Sequence, residues 1–256
     1  MKKTILSSIL LIVLVACKKE TVTGPVGPAG ANGTDAGGIT GTIMGKIRQF
    51  DQYGSEYTAN LNTTTVSIDG TSNSVVTDAK GNYTLSNVAS GIYDVSYQKP
   101  NCGLVKKQQI SFPGNGTLYI DYNISDKATF LFTGGYVKDT VVSGLNKFRV
   151  SLNFPSTPKS KSALTILGKT NSMNPEDGVS FLSYSTIFLS ANSTSFGFMV
   201  NYDSFPFANF VKGDIVYIKV YPATFYNISY YDYVNGTNVF TGCGTPLPTT
   251  FTVTMP

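Results

Sequence analysis

A short run of aromatic side chains carries the most usable chemistry in this 256-residue chain. Phe225, Tyr226, Tyr230, Tyr231 and Tyr233 lie close together. On an exposed strand or loop, a tyrosine offers a flat apolar face to a sugar ring and a hydroxyl to its rim. The same run also fits core plus edge strand, because alternate members of any strand turn inward. A second chemistry is that of Cys102 and Cys243, each set in a glycine-flanked turn, Asn101-Cys102-Gly103 and Gly242-Cys243-Gly244. In an oxidising compartment these two could form a disulfide that clamps two parts of the chain, or stay as two separate thiols.

Other reactive patterns fail on inspection. The chain has no histidine, which removes Ser-His-Asp and Cys-His nucleophile systems, HExxH zinc hydrolysis and any imidazole switch. Ser156-Thr157-Pro158-Lys159 spells S-x-x-K, but Pro158 sits where one helical turn would have to join the serine to the lysine. Gly168-Lys169-Thr170 matches the end of a phosphate-binding loop, yet Ala163 stands where the first glycine is required. Glu176 and Asp177 are adjacent, and neighbours on a strand point to opposite faces. No spacing fits a calcium loop. Catalytic residues, metal ligands and cofactors are therefore not expected. The basic residues are scattered singly or in pairs, so nucleic acid is not an expected partner.

The N-terminal end sets the expected location. Lys2 and Lys3 precede the apolar stretch from Ile5 to Ala16. That stretch falls short of the roughly 20 residues a membrane-spanning helix needs, so residues 1–16 read as a signal peptide. Leu14-Val15-Ala16-Cys17 resembles the lipobox of bacterial lipoproteins. The resemblance implies a diacylglycerol on the Cys17 thiol, cleavage before Cys17 and attachment to a membrane through the lipid. No Asp follows Cys17, which points to the outer membrane, at its periplasmic or cell-surface face. Within residues 17–38, Gly24, Gly27, Gly30 and Gly33 recur at every third position. A collagen-like trimer needs that rhythm throughout. The register breaks at Ala36, so the segment reads as an extended Gly/Pro-rich spacer.

Beyond the spacer, apolar residues alternate with polar ones. Charged residues make up 13% of the chain, against roughly 25% in an ordinary domain, and the aromatic content argues for a folded core. In residues 39–125, Ile43 and Ile47, Val66 and Ile68, Tyr83 and Leu85, Tyr93 to Tyr97, and Leu118 to Ile124 mark half-buried strands. The run from Thr77-Asp78-Ala79-Lys80-Gly81-Asn82-Tyr83 through Gly91-Ile92-Tyr93-Asp94-Val95 resembles the signature of the carboxypeptidase regulatory-like (transthyretin-like) β-sandwich domain. Asp78 can accept hydrogen bonds from its own turn, and Gly81 can take a positive φ there. The resemblance implies a structural module without an active site of its own.

In residues 127–256 the alternation places strands at Phe130–Phe132, Tyr136–Val142, Lys147–Asn153, Ala163–Leu167, Val179–Leu189, Ser195–Tyr202, Asp214–Tyr221, Asn227–Asp232 and Thr249–Met255. Residues 155–178, rich in Pro, Ser, Thr and Lys, read as a long surface connection. Lys212 to Tyr221 is similar to the late strand of a fibronectin type III or immunoglobulin-like sandwich, which implies a corner tied by the Tyr217 hydroxyl. The expected fold class is all-β: two antiparallel β-sandwich domains in tandem after a signal peptide and linker. The expected function is that of a non-catalytic, lipid-anchored envelope protein, structural or adhesive, meeting a protein or glycan at the cell surface. The alternative is a glycan-binding accessory protein for polysaccharide capture, with Tyr226, Tyr230, Tyr231 and Tyr233 as stacking residues.

Overall fold

The computed structural model describes residues 38–142, 145–202, 209–226 and 229–256. The leader 1–16, Cys17 and the Gly/Pro-rich segment through residue 37 lie outside the described residues. Those described form strands, turns and loops, with no helix among them. The protein is all-β.

The first half contains β1 (Thr40–Phe50), β2 (Thr65–Ile68), β3 (Ser74–Val76), β4 (Asn82–Ala89), β5 (Gly91–Gln98), β6 (Val105–Phe112), β7 (Thr117–Tyr119) and β8 (Tyr122–Ser125). One sheet has the order β4-β1-β7, with β8 also on β1; the facing sheet runs β3-β2-β5-β6. Between them lies a core of Ile43, Ile47, Val66, Ile68, Tyr83, Leu85, Val95, Tyr97 and their neighbours. Period-two alternation produces this directly, since one face of each strand supplies the core. Asp78 Oδ1 accepts from the backbone N–H of Lys80 and of Asn82, both at 2.8 Å, and Gly81 has φ +83°. This turn delivers Tyr83 and Leu85 to the core face.

Two features depart from the expected pattern. The sandwich is not antiparallel throughout, because β7 and β8 both pair with β1 in parallel. The preceding strand, β6, belongs to the opposite sheet, so the chain crosses over and returns beside β1 in the same direction. The second departure is β6 itself, which alternation did not mark. Its Lys106-Lys107-Gln108-Gln109 segment is polar on both faces, as suits an edge strand.

The second half contains β9 (Gly134–Val142), β10 (Leu145–Asn153), β11 (Lys161–Gly168), β12 (Ser183–Leu189), β13 (Ser195–Asn201), β14 (Ile215–Ala223), β15 (Ser229–Asp232), β16 (Thr237–Phe240) and β17 (Phe251–Thr254). The sheet β13-β10-β9 packs on the sheet β12-β11-β14-β17 through Phe148, Val150, Leu152, Ala163, Leu167, Val216, Ile218 and Val220. The second sheet is covered on its other face too. Leu164 and Ile166 of β11 and Tyr221 and Ala223 of β14 pack there against Met173, Phe181, Phe240 and Cys243. Thus β11, which includes the strand expected at Ala163–Leu167, is buried along its whole length and interrupts the surface connection expected over 155–178. Small side chains, Ser162, Ala163 and Thr165, let both layers approach it.

Three smaller expectations are corrected. Phe130–Phe132 is not a strand, although both rings are buried. The strand expected over Val179–Leu189 begins only at Ser183. The hydroxyl that ties down a loop belongs to Tyr221, not Tyr217; it donates to the Met173 carbonyl at 3.0 Å.

No linker parts the two halves, and residues Gly37–Pro256 form one compact unit. Lys127 N–H donates to the Asn101 carbonyl at 2.9 Å, and the next amide, Ala128 N–H, donates to the Gly242 carbonyl at 3.1 Å. Gln52 and Thr129 bond reciprocally, side chain to side chain at 2.8 Å and backbone N–H to amide oxygen at 2.7 Å. Lys159 reaches across to Asp51 Oδ2 at 2.7 Å. At Gly103, an added Cβ would stand 2.2 Å from the Thr241 carbonyl oxygen. Gly103→Ala should therefore destabilise the protein by about 1–3 kcal/mol or more. Gly134→Ala meets only an amide nitrogen at 3.8 Å and should be neutral or stabilising by up to about 1 kcal/mol. Urea denaturation of the two variants tests the contrast.

Candidate functional site

The β15–β16 hairpin is fastened to both halves. On the second half, the Thr237 hydroxyl donates to the Gly178 carbonyl at 2.6 Å, and Phe240 N–H donates to the Pro175 carbonyl at 2.8 Å. On the first half, Tyr233 N–H donates to Gln108 Oε1 of β6 at 3.0 Å. The connecting turn is organised by Asp232. Its Oδ1 accepts from Val234 N–H at 2.9 Å, its Oδ2 accepts from the Asn235 side-chain amide at 2.7 Å, and its carbonyl accepts from Gly236 N–H at 2.8 Å. The Asn235 bond, with smaller help from the backbone amides, holds the Asp232 carboxyl below the usual carboxylate range.

Most rings of the aromatic run, on the hairpin and just before it, stand at the surface. Tyr226 is 48% exposed, Tyr231 45% and Tyr233 61%, while Tyr230 is half-buried. Tyr230 turns inward relative to Tyr231, as alternation along an edge strand requires, and none of the four is a member of a buried core cluster. Tyr231 and Tyr233 meet edge to face with centroids 5.0 Å apart. Tyr226 rests on Phe50 at 4.6 Å and on Phe225 at 5.6 Å.

The four tyrosines line a groove with two contiguous lobes. The larger, about 650 Å³, is bounded by Arg48, Lys107, Asp121, Tyr122, Asn123, Tyr226 and Ser229. The smaller, about 330 Å³, is bounded by Lys106, Lys107, Gln108, Tyr122, Ser229, Tyr230, Tyr231 and Tyr233. Lys107, Tyr122 and Ser229 belong to both. Tyr122 is a stiff wall, stacked on the buried Tyr97 ring with centroids 4.7 Å apart and planes 7° from parallel. The first half supplies Arg48, Tyr122, Asn123 and the β6 residues. Their own sequence pattern did not single them out, because only folding sets β6 and β8 beside the hairpin.

Most charges around the groove are already engaged. Arg48 makes a two-pronged pair with Glu56. Lys106 Nζ lies 2.6 Å from Asp69 Oδ2. Burial pushes Asp69 up, but its bonds from Lys106 and the Ser96 hydroxyl outweigh that and hold it below the usual range. Asp121 Oδ1 accepts from Lys46 N–H at 2.7 Å. Lys107 makes no ion pair among the described residues.

The remaining candidates lie elsewhere. Cys102 and Cys243 are free thiols. Cys102 packs against the first-half core and donates to Asp126 Oδ1 at 3.5 Å, whereas Cys243 packs beneath the second half's outer layer. The two glycine turns flank the same segment at Lys127–Ala128, but the Cys102 thiol is directed to Asp126 and Cys243 is buried in the second half's outer layer. Burial pushes both thiols up to about 12. Lys159 of the S-x-x-K run is held by Asp51 and Ser55, and Lys169 pairs with Asp214 at 2.8 Å. Glu176 pairs with Lys127, while Asp177 caps its own turn. Among the described residues, no group of three or more His, Cys, Asp or Glu is placed to hold a metal ion. Cys17 lies outside them.

No protein-family model matches the chain, and no curated protein matches it. Among solved structures, a chain of a type II cohesin–X-dockerin complex from Acetivibrio cellulolyticus aligns with 34% of this chain at 24% identity and a TM-score of 0.29. The alignment spans 58% of that chain's own length. A candidate carbohydrate-binding protein from Bacteroides uniformis aligns with 85% of this chain and 100% of its own, at 13% identity and a TM-score of 0.29. A DUF3823 family protein from Parabacteroides merdae aligns with 81% of this chain and 98% of its own, at 13% identity and a TM-score of 0.28. Scores this low say nothing of what the groove holds.

Two measurements check this geometry. Asp232 has a depressed carboxyl, so its turn is intact above the ordinary carboxylate pKa near ~3.9 and loosens as pH falls through the lower folded value. The amide proton shifts of Val234 and Asn235 should titrate together with an apparent pKa below that ordinary value. In protein carrying Cys17→Ser, two thiols should titrate in denaturant without reductant, and react far more slowly in the folded state. Fewer than two would show that Cys102 and Cys243 are paired.

Proposed function

We propose that this protein is a non-catalytic carbohydrate-binding protein, anchored through Cys17 to the outer membrane and holding its glycan in the groove between the two halves. In this reading residues 39–125 form a carboxypeptidase regulatory-like sandwich, supported by the Asp78–Gly81 turn geometry, and residues 127–256 an immunoglobulin or fibronectin III-like one. The lipobox Leu14-Val15-Ala16-Cys17 supports the anchor, and the Gly/Pro-rich segment acts as a spacer between membrane and binding groove.

The observation that carries the reading is the tyrosine-lined groove itself. A pyranose ring has an apolar C–H face and a polar rim. Tyr226, Tyr231 and Tyr233 present ring faces and edges for the first, and Asn123, Gln108 and Ser229 lie beside them for the second. Aromatic rings set beside convergent polar groups can fix the orientation of a small ligand. Glycoside hydrolysis by the usual route needs two carboxyl groups about 5–9.5 Å apart. Asp121 is the one carboxylate among the described residues of the groove lining, and it is engaged with Lys46 N–H.

Glycan-array binding followed by calorimetric titration tests the proposal. Replacing Tyr231 and Tyr233 together with Ala should weaken binding at least about tenfold, or roughly 1.4 kcal/mol, with the urea midpoint little changed because both rings are exposed. An intact protein that binds no glycan, or a double variant that binds as well as the original, would rule the reading out.

A further inference from the structure

Resting on that reading, we infer that the groove selects an anionic glycan, one bearing carboxylate or sulfate groups, and that Lys107 is the residue that receives the acidic group. The argument begins with where Lys107 stands. It pairs in register with Val95, which is fully buried. By strand alternation it shares the face of β6 that carries the buried Val105. Lys107 therefore stands on the inward side of an edge strand, with its side chain exposed at the rim of the sandwich. It lines both lobes of the groove.

Charge accounting isolates this residue. Arg48 is matched by Glu56 and Lys106 by Asp69. Asp121 accepts a backbone N–H and keeps its negative charge, but it lines only the larger lobe, and the smaller lobe has no carboxylate among its described residues. Lys107 is the lining cation without a carboxylate partner among the described residues. A cation without a partner beside tyrosine rings favours a ligand that brings its own negative charge to it. A neutral sugar would satisfy the rings and leave the ammonium to water.

The test uses matched pairs of oligosaccharides: galacturonan, alginate and glucuronoxylan fragments against their carboxyl-reduced forms, and sulfated galactan against its desulfated form. Each is titrated into the folded protein and its variants. The expected result is that at least one acidic member binds about tenfold or more tightly than its neutral partner, as a charge-assisted bond predicts. Lys107→Gln should bring that ratio close to one, and Lys107→Arg should keep most of it. Preference among the uronates or for the sulfate ester identifies the acid. Equal binding within every pair overturns the selectivity while leaving carbohydrate binding intact. A preference that survives Lys107→Gln overturns the assignment to Lys107. Binding to none of the glycans defeats carbohydrate recognition, and this inference with it.

Discussion

Successive amides of an extended chain point to opposite sides, and this protein is held together where that rule is applied at Lys127 and Ala128. One amide takes the Asn101 carbonyl of the first sandwich and the next takes the Gly242 carbonyl of the second. A two-residue crossing with its donors so committed leaves little freedom for the halves to swing. Gly103 against Thr241, the Gln52–Thr129 exchange and the Lys159–Asp51 pair then follow as contacts made possible by that crossing. The groove depends on it as well. Its floor comes from β6 and β8, its aromatic rim from a hairpin more than a hundred residues later in the chain, and neither makes a site alone.

The second sandwich carries an extra layer because its middle sheet is apolar on both faces. The sequence Ala163-Leu164-Thr165-Ile166-Leu167 has no polar side to offer water. Such a strand must be covered twice, as strands of a doubly covered sheet are. The loop around Met173 and Phe181 and the base of the hairpin at Phe240 supply the second cover. The hairpin's position is thus a by-product of core burial, and its tyrosines are free to face outward because Phe240 does the burying.

Much of the architecture was legible from alternation. Ile43 and Ile47, Tyr83 and Leu85, and Val216 through Val220 all fall on the faces that periodicity assigns them. Asp78 and Gly81 make the turn that their types imply. What escaped reading shares one physical cause, dependence on distant partners. β6 has too little apolar contrast to announce a strand and is defined by its pairing with β5. The parallel return of β7 and β8 is a property of the crossover, not of their side chains. The tyrosine run was visible as a feature, but Lys107, Tyr122 and Asn123 become groove residues only through folding. The cysteine turns do converge on one segment, yet side-chain direction, invisible in a one-dimensional pattern, gives Cys102 to Asp126 and buries Cys243 in the outer layer of the second half.

The arrangement of β1 has a mechanical consequence. It is the first described strand, and it is bonded along one edge to β4 and along the other to β7 and β8. Tension drawn lengthwise on its leading end would load those cross-strand bonds in shear, so that they must fail together and not one after another. Meanwhile the far sandwich is buttoned to the same body by the Lys127–Ala128 crossing and by Tyr233 on β6. Tension on that end would therefore move the whole folded body, with no weak unzipping point at its leading strand.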